Sequence, residues 1–173
     1  PILETKAGGV VYGVLDDERF DYTQSTILRV PEATATQRKA AISFMHGQLG
    51  KGYKVRDLFV EPDRTSARID WYCSLLVWAA YMNATPDGRI DELTDKNDPD
   101  FLGINLEVEN WLTEPGITPN DIFRSQKVEK INPFFANYKD YLENIQWSNA
   151  GTIINDEDFI FSRGSNSYTL RND

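Results

Sequence analysis

The chain has 173 residues, 40% hydrophobic and 12% aromatic, which is enough to bury one core without disulfides or a structural metal. Its formal charge of −9 at pH 7 disfavours binding of nucleic acid or anionic membrane through a general basic field, and suits a small neutral or cationic substrate. One cysteine cannot form an internal disulfide, one cysteine with one histidine cannot build the usual zinc sites, and no apolar run approaches the roughly 20 residues that span a bilayer.

In chain order, the first third reads as short strands over 9–15 and 25–30, rich in β-branched residues and closed by Pro31. A helix follows from about Thr36 to Gln48, with Ala41, Ile42, Met45 and Leu49 on one face and Gly50 and Gly52 as its stop. The charged connector 54–68 carries Val55, Leu58, Phe59 and Val60, which the pattern predicts to anchor it on the core. An apolar helix then begins at Cys73. Residues 83–101 hold Asp87, Asp91, Glu92, Asp95, Asp98 and Asp100 with Pro86, Gly88 and Pro99, the composition of a solvated acidic insertion. Within it Asn83, Thr85, Asp87 and Gly88 resemble the opening of a calcium loop, but Thr94 stands where the bidentate glutamate belongs. Residues 114–121 read as a turn leading into a one-turn helix, 133–145 as a short amphipathic helix, and 152–170 as two or three strands around Gly164. There is no internal repeat or heptad pattern. Strands, then helices, then strands indicate one α+β domain with an antiparallel sheet.

Cys73 opens its helix directly after the polar stretch Arg68–Asp70. Free amides and the positive end of the helix dipole stabilise a thiolate at such a position, drawing the pKa down from about 8.5. The bland account is equally physical: Cys73, Leu76, Val77, Ala80 and Ala84 share one helical face, so the sulfur can simply fill core volume. Spacing alone leaves both readings open.

Three motifs add a resemblance. Gln48-Leu49-Gly50-Lys51-Gly52-Tyr53, then Tyr72-Cys73-Ser74-Leu75-Leu76-Val77-Trp78, then Ile117-Thr118-Pro119-Asn120-Asp121 resemble, in order, the "QLGKPY" helix end, "YCSELVW" nucleophile helix and "TPxD" turn of the circularly permuted papain-like cysteine hydrolases. These form the YiiX- and YebB-like branch of the NlpC-type superfamily. The likeness covers most of residues 1–131, and Leu75 and Gly52 depart from the family's glutamate and proline. It implies a papain-like α+β fold, with an antiparallel sheet packed on the nucleophile-bearing helix. It also implies a Cys73 thioester mechanism without a cofactor. The implied substrate is a small peptide or acyl compound, with bacterial cell-wall peptides foremost and lipid esters or acyl transfer as alternatives, and the implied location is the cell envelope or outside the cell. By the same resemblance Tyr53, Tyr72 and Ser74 line the substrate site, and Glu4, in a strand similar to the family's "VIEA", orients the catalytic histidine. Unaided, the sequence reads Tyr53 as a packing residue and Glu4 as a strand-edge carboxylate just as well.

That histidine is missing from its family position, upstream of the Glu4 strand. His46 is the only histidine, and it reads as a half-exposed residue near a helix C-terminus. Three explanations follow: a fragment lacking a preceding strand and histidine, a domain that keeps the cleft for binding, or recruitment of His46 by an unusual fold. The first fits the opening of the chain best. Under the second, the acidic insertion is a docking surface.

Overall fold

The Ala7–Gly8 turn folds the start of the chain on itself. Gly8 and Gly9 take left-handed φ values of 109° and 104°, conformations that favour glycine, so β1 (Ile2–Lys6) returns as antiparallel β2 (Gly9–Gly13) with Lys6 opposite Gly9. The structure, a computed structural model, describes residues 2–13, 25–55, 63–108, 116–131, 160–163 and 166–170. The other elements are β3 (Ser25–Arg29), α1 (Ala35–His46), β4 (Gly52–Tyr53), β5 (Asp70–Trp71), α2 (Cys73–Asn83), α3 (Pro119–Arg124), β6 (Glu129–Ile131), β7 (Ile160–Arg163) and β8 (Asn166–Leu170).

Six strands form one antiparallel sheet in the order β2-β1-β8-β7-β3-β6, so the first hairpin and the last lie side by side. β4 and β5 form a separate parallel pair, with Tyr53 opposite Trp71. The expected mixed α+β architecture with an antiparallel sheet is what the chain adopts. No helix among the described residues is long and apolar enough to cross a membrane.

Helix α2 is the centre of the core. It packs on α1 on one side and on β1 and β8 on another, and all eleven of its residues are buried. The spacing of Cys73, Leu76, Val77 and Ala80 predicts one packed face, but an apolar run buried all round has no face to choose. This also accounts for Leu75: at that position, fully enclosed, a glutamate would be a carboxylate out of water. Helices α1 and α3 start with complete capping boxes, Thr34 with Gln37 and Thr118 with Asp121, whereas Tyr72 offers α2 no side-chain cap.

Elsewhere the sequence reading needs adjustment. Val55 is exposed and anchors nothing, while Leu58, Phe59 and Val60 lie outside the described residues, as do the helix expected at 133–145, Gly164 and the 152–159 part of the tail. The acidic insertion is a built structure. Residues 83–91 fold back with Thr85 and Asn83 bonded to Arg89 and Asp91, and Ala84 bridges to Ile90. Arg64 then fastens it, donating to the carbonyls of Met82 at 2.9 Å and Asp91 at 3.1 Å, to Asn83 Oδ1 at 3.0 Å, and to the Thr94 carbonyl.

Candidate functional site

The three resembling motifs are distant in sequence but converge on the start of α2. The Gln48–Tyr53 stretch is led there by the sheet: Val10 N–H donates to Lys51 O at 2.9 Å, and Gly50 N–H to Val10 O at 3.0 Å. Gly52 N–H then donates to Ile69 O at 2.9 Å and Lys54 N–H to Trp71 O at 3.1 Å, which aligns Tyr53 beside the approach to Cys73. A proline at Gly52 would lack that donor, and any Cβ there would lie 2.1 Å from Asp70 Oδ1, which accounts for the glycine at this position.

The Ile117–Asp121 turn is held from the other side. Ser74 Oγ donates to Ile117 O at 2.6 Å, and the Tyr72 hydroxyl accepts the Ile117 N–H at 3.1 Å, so two side chains of the helix start grip one buried residue from both sides. Both side chains, read from the resemblance as substrate-binding, are buried and spend their hydroxyls on the scaffold. Their place is in holding the turn against α2.

Cys73 occupies the first helical position, with Tyr72 as its cap residue in an extended conformation. The amides of the first turn are not claimed by a capping side chain. Tyr53 is a titratable group that feels the charge of the thiol: burial, and then the charge of an ionised Cys73, push the phenol up from its ordinary value, so Tyr53 stays neutral. A shallow groove of about 250 Å³ opens along β4 and β5 between Lys54 and the 67–70 stretch. Cys73 itself is only 3% exposed. That agrees with the packed-face reading of the sulfur, since the helix is buried to its first residue.

Glu4 is placed apart from this cluster. Strand alternation sets it on the face of β1 opposite Leu3, which belongs to the core shared with α2. Its buried carboxylate takes a hydrogen bond from Lys6 Nζ and lies over Gly13, where a Cβ would sit 2.5 Å from Oε1. His46 ends α1 exposed, its ring 6.0 Å from that of Tyr12. On the core face, Thr5 Oγ1 is buried without a hydrogen-bond partner, a feature no sequence pattern announces.

Among the described residues, no group of three or more His, Cys, Asp or Glu side chains is placed to hold a metal ion. In the calcium-like segment Asp87 accepts from Thr85 Oγ1 and from Arg89 Nε at 2.6 Å, which pulls its carboxyl down to about 2. Asp91 accepts from the Leu93 and Thr94 amides and from Thr94 Oγ1, with the same result. These carboxylates cap their own turns. Comparison of the chain with protein-family models, with curated proteins and with solved structures finds no match.

Proposed function

We propose that this chain is a cysteine hydrolase of amide bonds, of the permuted papain-like kind, with Cys73 as nucleophile. The observation that carries the reading is the convergence of all three motifs on one helix start, with Cys73 at the first position and Tyr53 beside it. The chemistry is thiolate attack on an acyl carbonyl, collapse to a thioester with loss of the amine, and hydrolysis of the thioester by water. The Cys73 amide is one donor for the oxyanion. Cell-wall peptides are the substrate class the resemblance favours. His46, exposed beside Tyr12, is left out of the mechanism, and the base is assigned to no described residue.

Burial of the sulfur favours a second reading, in which the same scaffold binds without turnover and Cys73 fills core volume. The two part on thiol reactivity. Iodoacetamide labelling of the native protein across pH is expected to follow a midpoint below the roughly 8.5 of free cysteine and to be unaffected by low urea. A rate that rises in proportion to urea-induced unfolding, with no native-state labelling, would sink the hydrolase reading and leave the scaffold.

A further inference from the structure

Leu93 is 88% exposed, yet it sits on one of the most firmly tied stretches of the insertion. The Arg64 guanidinium binds the carbonyls of Asp91 and Thr94, one on each side of the Glu92–Leu93 pair. Asp91 Oδ1 takes the amides of Leu93 at 3.0 Å and Thr94 at 3.1 Å, and Glu92 reaches across to the Ser66 amide and hydroxyl. The leucine therefore does not lie outside because its loop is loose. Its backbone is fixed in a position that keeps it out of the core.

Beside it a shallow groove of about 470 Å³ is lined by Ile90, Leu93, Leu102, Arg89 and Glu92 among others, and Ile90 and Leu102 are also exposed, at 38% and 47%. Three large apolar side chains around one groove form the kind of patch that soluble surfaces ordinarily cover. Its surroundings decide what covers it. Residues 83–102 carry six carboxylates, Asp87, Asp91, Glu92, Asp95, Asp98 and Asp100, against Arg89, Lys96 and the Arg64 guanidinium fastened among them, so the insertion stays net negative. The hydrogen bonds that most of them accept come from neutral amides and hydroxyls, which leaves their charge in place. A net-negative insertion of this kind, with Asp91 and Glu92 beside Arg89 in the groove itself, repels nucleic acid and anionic lipid, and attracts a basic chain.

We propose that the groove between Ile90, Leu93 and Leu102 is a docking surface for a basic protein segment, lysine- or arginine-rich, that inserts an apolar side chain against Leu93. This surface stands independently of the chemistry at Cys73. Leu93 is the anchor, because its backbone is already fixed and loses little freedom on binding, and the carboxylates set the salt dependence.

The test is fluorescence anisotropy of the whole chain with a short labelled peptide carrying two leucines between lysine pairs, alongside a version with serines for the leucines and one with glutamates for the lysines. Saturable binding of the first peptide alone, weakened at least about tenfold by Leu93→Ser and again by Leu102→Ser, is the expected result. Both positions are exposed enough for the variants to fold, which an unchanged melting temperature verifies. The proposal is overturned if Leu93→Ser binds as tightly as the parent, if the serine or glutamate peptide binds equally well, or if nothing saturates below about 1 mM. It is also overturned if sedimentation shows a dimer that Leu93→Ser dissolves, which would give the patch to a second copy of the chain.

Discussion

The Ser74 hydroxyl donates to the Ile117 carbonyl at 2.6 Å, and both residues are fully buried. With the Tyr72 hydroxyl on the amide of the same residue, this contact joins the cysteine helix to a turn more than forty residues downstream. Ser74→Ala leaves that carbonyl without its partner away from water, at a cost of about 1–3 kcal/mol in urea unfolding. Tyr72→Phe removes the matching acceptor. Since both bonds hold one residue, the double variant is expected to lose less than the sum of the singles, which a double-mutant cycle reads directly.

Gly9→Ala tests how Tyr53 is brought to Cys73. A Cβ at Gly9 would meet the Lys51 carbonyl at 2.2 Å, on a backbone whose φ of 104° already disfavours any other residue. Strain and overlap together are expected to cost about 3 kcal/mol or more, and to shift the 51–53 stretch away from β2. Faster thiol labelling of Cys73 under native conditions would accompany the loss. Unchanged stability would mean that the β2-to-Lys51 contact does not hold this segment.

How much of this could be read beforehand depends on the kind of residue. β2, β3, α1 and the start of α2 were legible because β-branched runs, a glycine stop and an apolar run each act within a few residues, whereas the Thr34 cap of α1 was not read from the sequence. The grouping of Cys73 with Tyr53 and Ile117 was legible only through motif order, since their contact is tertiary. Arg64 was not legible at all: its partners are mostly backbone carbonyls, which every residue has, so no side chain marks where it will bind. The same holds for Ser74 and Tyr72, whose resemblance to site residues conceals that their hydroxyls are used on Ile117. Burial of Cys73 agrees with its place on the packed face given by helical spacing; what spacing missed is that α2 has no exposed face at all.

Acid stability follows from the insertion. Asp87 and Asp91, held at about 2, stay ionised in the fold well below the pH at which an unfolded aspartate, near 3.9, takes up its proton. Their folded values are depressed, so their contribution is present above about pH 4 and is lost as pH falls toward 2. Carboxyl carbon shifts are expected to titrate near 2 at Asp91, and Thr94→Val, which removes the hydroxyl donor, is expected to move that midpoint up toward the ordinary value. Because both groups face solvent, the melting temperature should respond less than the midpoints do.

Arg64 gives a prediction of a different kind. Its guanidinium is lowered from its ordinary pKa mainly by burial, partly offset by Asp91, Glu92 and Asp95, and it stays charged at any pH of interest. Arg64→Lys keeps that charge but cannot reach four acceptors in a planar fork. Loss of about 2–3 kcal/mol is expected, concentrated in the insertion, so amide exchange at Leu93 and Thr94 should quicken far more than exchange in α2. Equal quickening in both would make the insertion one cooperative unit with the core.

Burial of Tyr53, reinforced by the charge of Cys73, makes stability depend on alkaline pH. A phenol with a raised folded pKa contributes stability that is intact below the unfolded value of about 10 and is lost as pH rises through the folded one. Part of that rise comes from the Cys73 charge, so Cys73→Ala is expected to bring the Tyr53 ionisation, followed by ultraviolet absorbance, down toward 10 while leaving the burial component. The same variant abolishes any hydrolysis and, by opening a cavity one sulfur in size, costs about 1 kcal/mol. His46→Ala, at an exposed ring beside Tyr12, changes neither reading. If it removes turnover and native labelling of Cys73 together, the imidazole reaches the thiol in a conformation other than this one, and His46 rather than an undescribed residue is the base.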